Sequence, residues 1–488
     1  MKEMEPLPCL HAGVAKVEIT DEASGIPNDP LYVRALVLES GATTAALITV
    51  DAVAIAEIGS IPNSYLETVR SKLTAELGIT PASVIVNASH CHGQVCEDVA
   101  ERTIQAVKEA HSTLVPVSVG VGTGHEERIS ENRRITLNSG READVRHAYS
   151  LPPDEQVAEV GPIDPEIGIL RLDRTSGDIP VGQATLAVVY NFAIHPILGV
   201  ASGRNTADIS GFSCAAIENQ TGAVALFVQG AAADINPIWY KDVDHPRDAE
   251  TLGNQLGLST LKSLRRIQTQ QNTTLTVIRE VFQLPRADLS AHIATLEAER
   301  QVQLASLKGT TLNLKTFIPL LIKHRLSPDF PTHASHRYIH DRAAGRDDLD
   351  AFDAENRRAL DAYIENVHTM EHLTRIQTNL SLLRRHQKRY EEEGDTVEVE
   401  VVGLRIGDFI LVTFPGELSV DIGLGIKARS PHRHTFVAGV TNGYLYYTPT
   451  EKQLQNRGNA QEDSDCLVAP GWQSLFETKV TEILEALS

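Results

Sequence analysis

Val84-Ile85-Val86-Asn87-Ala88-Ser89-His90-Cys91-His92-Gly93 is the stretch from which the fold is read. Its first half is a short apolar run, the mark of a buried strand. Its second half puts two imidazoles at the strand's end. Residues two apart in an extended chain point to the same side. His90 and His92 are therefore expected to leave the strand aimed at one spot. Two imidazoles converging there suit a metal site, or an acid/base pair beside one. A lone His-x-His is equally at home in a core or on a surface, so the rest of the chain decides. Cys91 alternates with the pair and faces the other way, which makes it a weaker ligand candidate.

The segments around this run alternate strand and helix, an α/β pattern. Val17–Thr20, Tyr32–Leu38 and Ala45–Val50 read as strands, and Asn63–Leu77 as a helix stopped by Gly78. Asp98–Ala110 is the next helix and Pro116–Gly122 the next strand. Val121–Ser150 is rich in charge and turn residues and reads as loops over a site. Gln183–Ile194 is a long apolar strand closed by His195-Pro196, where proline ends regular pairing. Ala223–Val228 runs into Gln229-Gly230-Ala231-Ala232-Ala233-Asp234-Ile235-Asn236-Pro237. Asp248–Arg266 follows as a helix and Leu275–Gln283 as a strand.

Between residues 286 and 395 the texture changes to long Leu/Ala/Glu/Arg/Gln stretches. Asp288–Lys308 and Asp350–Arg389 read as amphipathic helices, with His324–Arg342 as a polar link. This is a helical insertion, either a cap that shields core or a lid over a substrate. Strand patterns resume at Val397–Val402, Leu404–Ile406 and Phe409–Thr413, ahead of Phe414-Pro415-Gly416-Glu417. Thr435–Val440 precedes Thr441-Asn442-Gly443-Tyr444-Leu445-Tyr446-Tyr447, and a helix near Trp472–Leu487 closes the chain. The expectation is a single α/β domain over residues 1–488, with central, mainly antiparallel β-sheets flanked by helices and the insertion within it.

The chain has 488 residues, 42% of them hydrophobic, which is ample for a large core and by length alone allows two to four domains. Its formal net charge of −20 repels nucleic acid phosphates and anionic membranes. The expected partner is a small-molecule substrate, with no nucleic acid and no stable membrane insertion; a homo-oligomer is compatible with this surface. Five cysteines (Cys9, Cys91, Cys96, Cys214, Cys466) form no disulfide framework, so a reducing compartment fits. Met1-Lys2-Glu3-Met4-Glu5-Pro6 has no apolar core of a signal peptide, and a cytoplasmic protein is expected.

Four polar signatures each follow an apolar strand: Ser89–His92, His195-Pro196, Gly416-Glu417 and Asn442–Tyr447. Two histidines, a carboxylate and a phenol make a set that zinc accepts with a position left open for water. On spacing alone, Glu417 fits a helix cap equally well and the tyrosines fit core aromatics.

Taken together, these segments resemble the neutral, non-lysosomal ceramidases and their bacterial relatives. The likeness runs from about Ala12 to Glu451, outside the insertion. The opening His11-Ala12-Gly13-Val14-Ala15-Lys16-Val17-Glu18-Ile19-Thr20 is similar to the family's start. The family's His-Thr-His-Ser-Gly resembles His90-Cys91-His92-Gly93, and its Asn-Arg-Ser resembles Asn132-Arg133-Arg134. Its second metal histidine matches His195, and its Ser-x-Asp-x-x-Gly resembles Thr206-Ala207-Asp208-Ile209-Ser210-Gly211. Its Pro-Gly-Glu and Asn-x-Tyr-x-x-Tyr match Pro415-Gly416-Glu417 and Asn442 to Tyr447.

The resemblance implies zinc held by His90, His195, Glu417 and Tyr447. It implies a second histidine, His92, facing the substrate and Arg133 contacting the reacting region. Two departures stand out. Where the family carries Gly-Asp-x-Ser-Pro-Asn, with a catalytic serine, this chain has Ala233-Asp234-Ile235-Asn236-Pro237-Ile238. Asn236 offers no hydroxyl nucleophile, but its amide can donate to an oxyanion. No counterpart of the family's C-terminal immunoglobulin-like domain is expected. The expected activity is therefore zinc-dependent hydrolysis of an amide, ester or lactone-type bond in a small, polar substrate through metal-activated water. Alternatives are a metal-dependent lyase or isomerase, a true ceramidase, and a binding protein that kept the metal without turnover.

Overall fold

Alternation in the second strand organises the molecule. The computed structural model describes residues 9–146, 151–175, 184–199, 203–242, 244–245, 247–456 and 460–488. Residues 1–6 and Gln183, read above, lie outside them, as does the end of 121–150. The first strands are β1 (His11–Glu18), β2 (Tyr32–Ser40), β3 (Thr43–Val50), β4 (Val84–Ala88) and β5 (Val115–His125). On β2, Val33, Ala35 and Val37 share a core cluster with Val69 and Leu73 of α1 (Tyr65–Leu77) and Val107 and Ala110 of α2 (Val99–Ser112). Leu36 and Leu38, on the opposite face, share a second cluster with residues of a second sheet. Gly13 permits the close approach of α2: a Cβ there would stand 1.9 Å from the Ala110 carbonyl oxygen.

Three short strands follow: β6 (Ser130–Asn132), β7 (Arg134–Leu137) and β8 (Glu142–Asp144). This corrects the reading of 121–150 as loops, since β5 also extends to His125. Ile135, Ala143 and Val145 form a small apolar core there. The charges between them, Arg134 and Asp144 among them, are turned inward. Next come β9 (Val157–Val160), β10 (Glu166–Arg174), β11 (Thr185–Phe192), α3 (Asp208–Thr221), β12 (Val224–Gln229), β13 (Ile235–Pro237) and α4 (Ala249–Leu264). The large sheet has the order β12-β11-β10-β5-β1-β2-β3-β4. Most of its pairs are antiparallel, but β3–β4 and β11–β12 are parallel. Helices α3 and α4 cover β10–β12 through Ile209, Ile217, Leu252 and Leu256.

After β14 (Leu275–Pro285) come α5 (Ser290–Ser306), α6 (Leu314–Leu326), α7 (Ser335–Ala343) and the 46-residue α8 (Asp348–Glu393). The stretch read as a polar link, 324–342, thus holds the end of α6 and most of α7. An Asn313–Thr316 capping box starts α6. The chain divides into two compact units, Met1–Asp288 with His386–Ser488, and Leu289–Arg385. Within the second, Phe317 stacks on Tyr363 with ring centroids 4.4 Å apart.

The first unit resumes with β15 (Thr396–Ile406), β16 (Phe409–Thr413), β17 (Glu417–Leu418), α9 (Val420–Arg429), β18 (Thr435–Ala438) and β19 (Tyr447–Thr448). The smaller sheet has the order β14-β15-β16-β18. Leu404, Leu411 and Phe436 from it pack with Leu36, Leu47 and Leu170 of the large sheet. The short helices α10 (Glu451–Leu454) and α11 (Gln461–Ser464) precede the closing α12 (Trp472–Ala486). Among the described residues no helix is long and apolar enough to cross a membrane.

Candidate metal centre

Buried amides lock the ends of strands from the two sheets together. Asn87 Nδ2 donates to the Gly439 carbonyl at 2.8 Å and to Thr441 Oγ1 at 2.9 Å, while its Oδ1 accepts from Gln229 N at 2.9 Å. One side chain thereby joins the ends of β4, β12 and β18. Asn191 Nδ2 bridges the Val228 and Val437 carbonyls at 3.1 and 3.0 Å. Gln229 Nε2 donates to the Ile194 carbonyl at 2.8 Å, fixing the turn that carries His195. Unpaired backbone at buried strand ends is costly, and these amides satisfy it.

His90, His195 and Glu417 each project one ligand atom into the same space, all within 4.8 Å of one another. All three residues are buried. His90 does not get there by strand alternation. Strand β4 ends at Ala88, and His90 sits in the left-handed region at φ 66°. The expectation drawn from an extended chain fails at that turn, although His90 and His92 stay adjacent, with ring centroids 5.7 Å apart. Val440, Asn442 and Tyr446 also have positive φ, at 47°, 60° and 58°. Strain of about 1–3 kcal/mol per residue concentrates at functional sites, and a β-branched valine in this region is the sharpest case here.

The two imidazoles are held in one tautomer. His90 Nδ1–H donates to the Val53 carbonyl at 2.6 Å, and His195 Nδ1–H to the Ile235 carbonyl at 3.1 Å. Each Nε2 is then the lone-pair nitrogen facing Glu417. His195 Nε2 lies 2.9 Å from Glu417 Oε2 and His90 Nε2 3.5 Å from it. Three acceptors at these separations repel unless a cation lies among them. Burial pushes the His195 pKa down to about 3, with the Arg133 guanidinium adding to the effect. Burial opposes ionisation of Glu417, but positive charge on the histidines, once they are protonated, holds its carboxyl well below the usual range. Two imidazoles and one carboxylate form a donor set of the kind zinc takes in catalytic sites, so the residues fit such an ion. Glu417 opens β17 rather than capping α9, which begins at Val420.

Tyr444 Oη donates to Glu417 Oε1. Tyr447 is paired with Glu417 across the parallel β17–β19 ladder, and its ring stacks on His195 at 6.4 Å and 9°. The phenol in hydrogen-bond contact with the carboxylate is thus Tyr444, which carried no assignment from the sequence beyond its place in the tyrosine motif. Tyr447 Oη accepts from Arg133 Nη2 at 3.3 Å.

Arg133 is buried, and most of its donors go to the protein. Nε bonds Glu462 Oε1 at 2.6 Å, Nη1 bonds Asn236 Oδ1 at 2.9 Å, and Nη2 bonds the Ala233 carbonyl as well as Tyr447. The contact with Arg133 fixes the Asn236 amide: its oxygen faces the guanidinium, and Nδ2 is left buried with no hydrogen-bond partner among the described residues. His92 is accessible to solvent, unlike His90. Desolvation, and then His90, still bring its pKa down to about 4, the combination expected of a side chain lining a recess. Cys91 is buried and is not among the converging ligands.

Sequence alone gave no sign of Glu462, from α11, which accepts from both Arg133 and Arg146, the latter at 2.7 Å. Although burial opposes it, the Arg133, Arg146 and Arg134 guanidiniums hold its carboxyl ionised. Arg134 Nη1 pairs with Asp463 at 2.9 Å, and its Nη2 with Glu142 at 2.9 Å.

No protein-family model matches the sequence, and no curated protein matches it. Solved structures share the fold, two of them ceramidases. One is the neutral ceramidase from Pseudomonas aeruginosa, at a TM-score of 0.61 and 16% identity, covering 99% of this chain and 75% of that one. The other is a ceramidase complexed with C2, at a TM-score of 0.61 and 15% identity, covering 98% of this chain and 75% of that one. The fold is that of the neutral ceramidases, the family the sequence motifs resemble.

Proposed function

We propose that this protein is a zinc-dependent hydrolase that cleaves an amide, ester or lactone-type bond in a small, polar substrate. The observation that carries the reading is the convergence of His90 Nε2, His195 Nε2 and Glu417 Oε2, with both histidine Nδ1 atoms already tied to backbone carbonyls. His90, His195 and Glu417 hold the ion, with Tyr447 as a fourth ligand. A divalent ion bound there supplies Lewis acidity and makes water ionisable near neutral pH.

The chain's own groups do the rest. His92, neutral at pH 7 and open to solvent, takes and returns a proton. Asn236 Nδ2, with its oxygen held by Arg133, is a donor ready for an oxyanion. Arg133 acts by holding Asn236 and Tyr447 in place. Asn236 in place of a serine means that no acyl group is passed to this side chain, so water attacks directly. Ceramide cleavage is the second reading, favoured by the shared fold. The amide at position 236 counts against the serine-dependent route.

Elemental analysis of purified protein, followed by assays on a panel of simple amides, esters and lactones, tests the reading. About one zinc per chain and metal-dependent turnover on that panel are expected. Protein that carries stoichiometric zinc yet cleaves only ceramide would shift the reading to ceramidase, and full activity after metal removal would end it.

A further inference from the structure

We propose that the substrate carries a carboxylate close to the scissile bond, and that Arg146 is the residue that receives it. This rests on the hydrolase reading and narrows its substrate class. Arg146 follows β8, whose partner strand β7 begins one residue after Arg133. The two stretches are tied by the Val145 N–H, which donates to the Arg133 carbonyl at 2.7 Å, so both guanidiniums emerge at one place. Their Cζ atoms stand 5.6 Å (Arg133) and 5.3 Å (Arg146) from the centre of the Tyr447 ring, which stacks on His195.

The two arginines differ in what they have left to give. Arg133 is engaged at all three nitrogens. Among the described residues Arg146 makes one side-chain hydrogen bond, from Nη2 to Glu462. Its Nε is buried without a hydrogen-bond partner among the described residues, and Asp144 Oδ2 stops 3.7 Å away. Among the described residues Nη1 has no partner either. A buried guanidinium with unused donors is costly, and it offers the planar fork that carboxylates match. Among the described residues Glu462 is the one carboxylate hydrogen-bonded to both Arg133 and Arg146, and it also stands 3.6 Å from Arg134, which pairs with Asp463 and Glu142. A neutral substrate would leave the Arg146 donors unused, whereas an N-acyl amino acid or a related carboxylate-bearing amide or ester engages them.

The test is calorimetric titration of the zinc-loaded protein with N-benzenesulfonylglycine and with its neutral carboxamide, both resistant to hydrolysis. The acid is expected to bind at least ten-fold more tightly. Arg146→Gln should cut that preference below two-fold, and Arg146→Lys should keep part of it. Equal affinity of the two probes for the wild-type protein, or no binding of either, overturns the proposal, and this comparison needs no variant to fold. An unchanged preference in Arg146→Gln also overturns it. Release of glycine from N-benzoylglycine is followed in parallel. An acid preference lost in Arg146→Gln, with no cleavage of any amide or ester, keeps the carboxylate site and defeats the hydrolase reading. Cleavage of neutral amides with no acid preference does the reverse.

Discussion

His195 and Glu417 face each other across 2.9 Å with lone pairs on both sides, because the Ile235 carbonyl already takes the His195 Nδ1 proton. The contact is favourable only with a cation between Nε2 and Oε2, either a proton or a metal ion. Alanine at His90, His195 or Glu417 should therefore lower zinc content from about one per chain to a small fraction, with activity falling in parallel. Elemental analysis of gel-filtered protein checks this. Wild-type zinc content in all three variants would place the ion elsewhere.

Tyr444 separates ligation from support. Its hydroxyl donates to Glu417 Oε1 and so orients the carboxylate. Loss of such an outer partner typically weakens metal affinity about 10–100-fold. Tyr444→Phe is expected to bind zinc with full stoichiometry but to surrender it to a chelator at correspondingly lower concentration. Tyr447→Phe, which removes a proposed ligand, should lose at least as much. Chelator competition on the two variants measures the order.

Much of this site is written in local sequence, and part of it is not. Strand-terminal positions for His195 and Glu417 follow from apolar runs ending in proline or glycine, which is local chemistry. The His90 turn is not visible locally, because its left-handed backbone is held by contacts with residues 52 and 53 across the sheet end: His90 N–H donates to the Ala52 carbonyl at 3.0 Å. Asn87, Asn191 and Gln229 read as ordinary polar interruptions of strands, and only the meeting of two sheets makes them staples. Glu462 lies in Gln461-Glu462-Asp463-Ser464, a run that reads as surface, yet three arginines far away in sequence draw it inside.

His195 makes the metal-free protein acid-sensitive. Its folded pKa of about 3 lies below the ordinary histidine value, so the unfolded chain binds the extra proton first as pH falls. Stability should thus drop from about pH 6.5 towards pH 3, at up to about 1.4 kcal/mol per pH unit from this one group. Glu417, depressed for a carboxyl, adds its own loss below about pH 4.5. Urea denaturation of metal-free protein between pH 7 and pH 4 should show the slope, and His195→Gln should flatten it. A pH-independent midpoint in wild type would show that His195 is not held neutral.

His92 is the proton carrier of the proposed reaction and is not in the ligand group. His92→Ala should retain zinc and lose turnover by roughly 10²–10⁴-fold, the range for a lost general acid or base. With a pKa of about 4 the imidazole is neutral across the ordinary working range. Its protonation should therefore set in only towards pH 4, and an acid limb in kcat/KM near pH 6.5 would have to belong to another group. A variant with intact zinc and near-normal turnover would remove His92 from the mechanism.

Asn236 has two jobs that substitution can divide. Its Oδ1 accepts from Arg133 Nη1 at 2.9 Å, and its Nδ2 is the buried donor left over. Asn236→Ala removes both. It should cost about 1–3 kcal/mol of stability, because a buried charged donor loses its acceptor. It should also cost ~10²-fold or more in turnover, as expected for one lost oxyanion donor. Asn236→Asp keeps an acceptor for Arg133 but has no N–H to offer. It should therefore fold close to wild-type stability and still show the full loss of turnover. Asn236→Ser restores a hydroxyl at the position, yet a pre-steady-state burst is not expected, since a serine side chain ends one bond short of the amide nitrogen it replaces. Thermal denaturation and single-turnover kinetics on the three variants read the two jobs separately. If Asn236→Asp turned over at the wild-type rate, the amide nitrogen would have no part in the chemistry, and Asn236 would be a buried brace for Arg133.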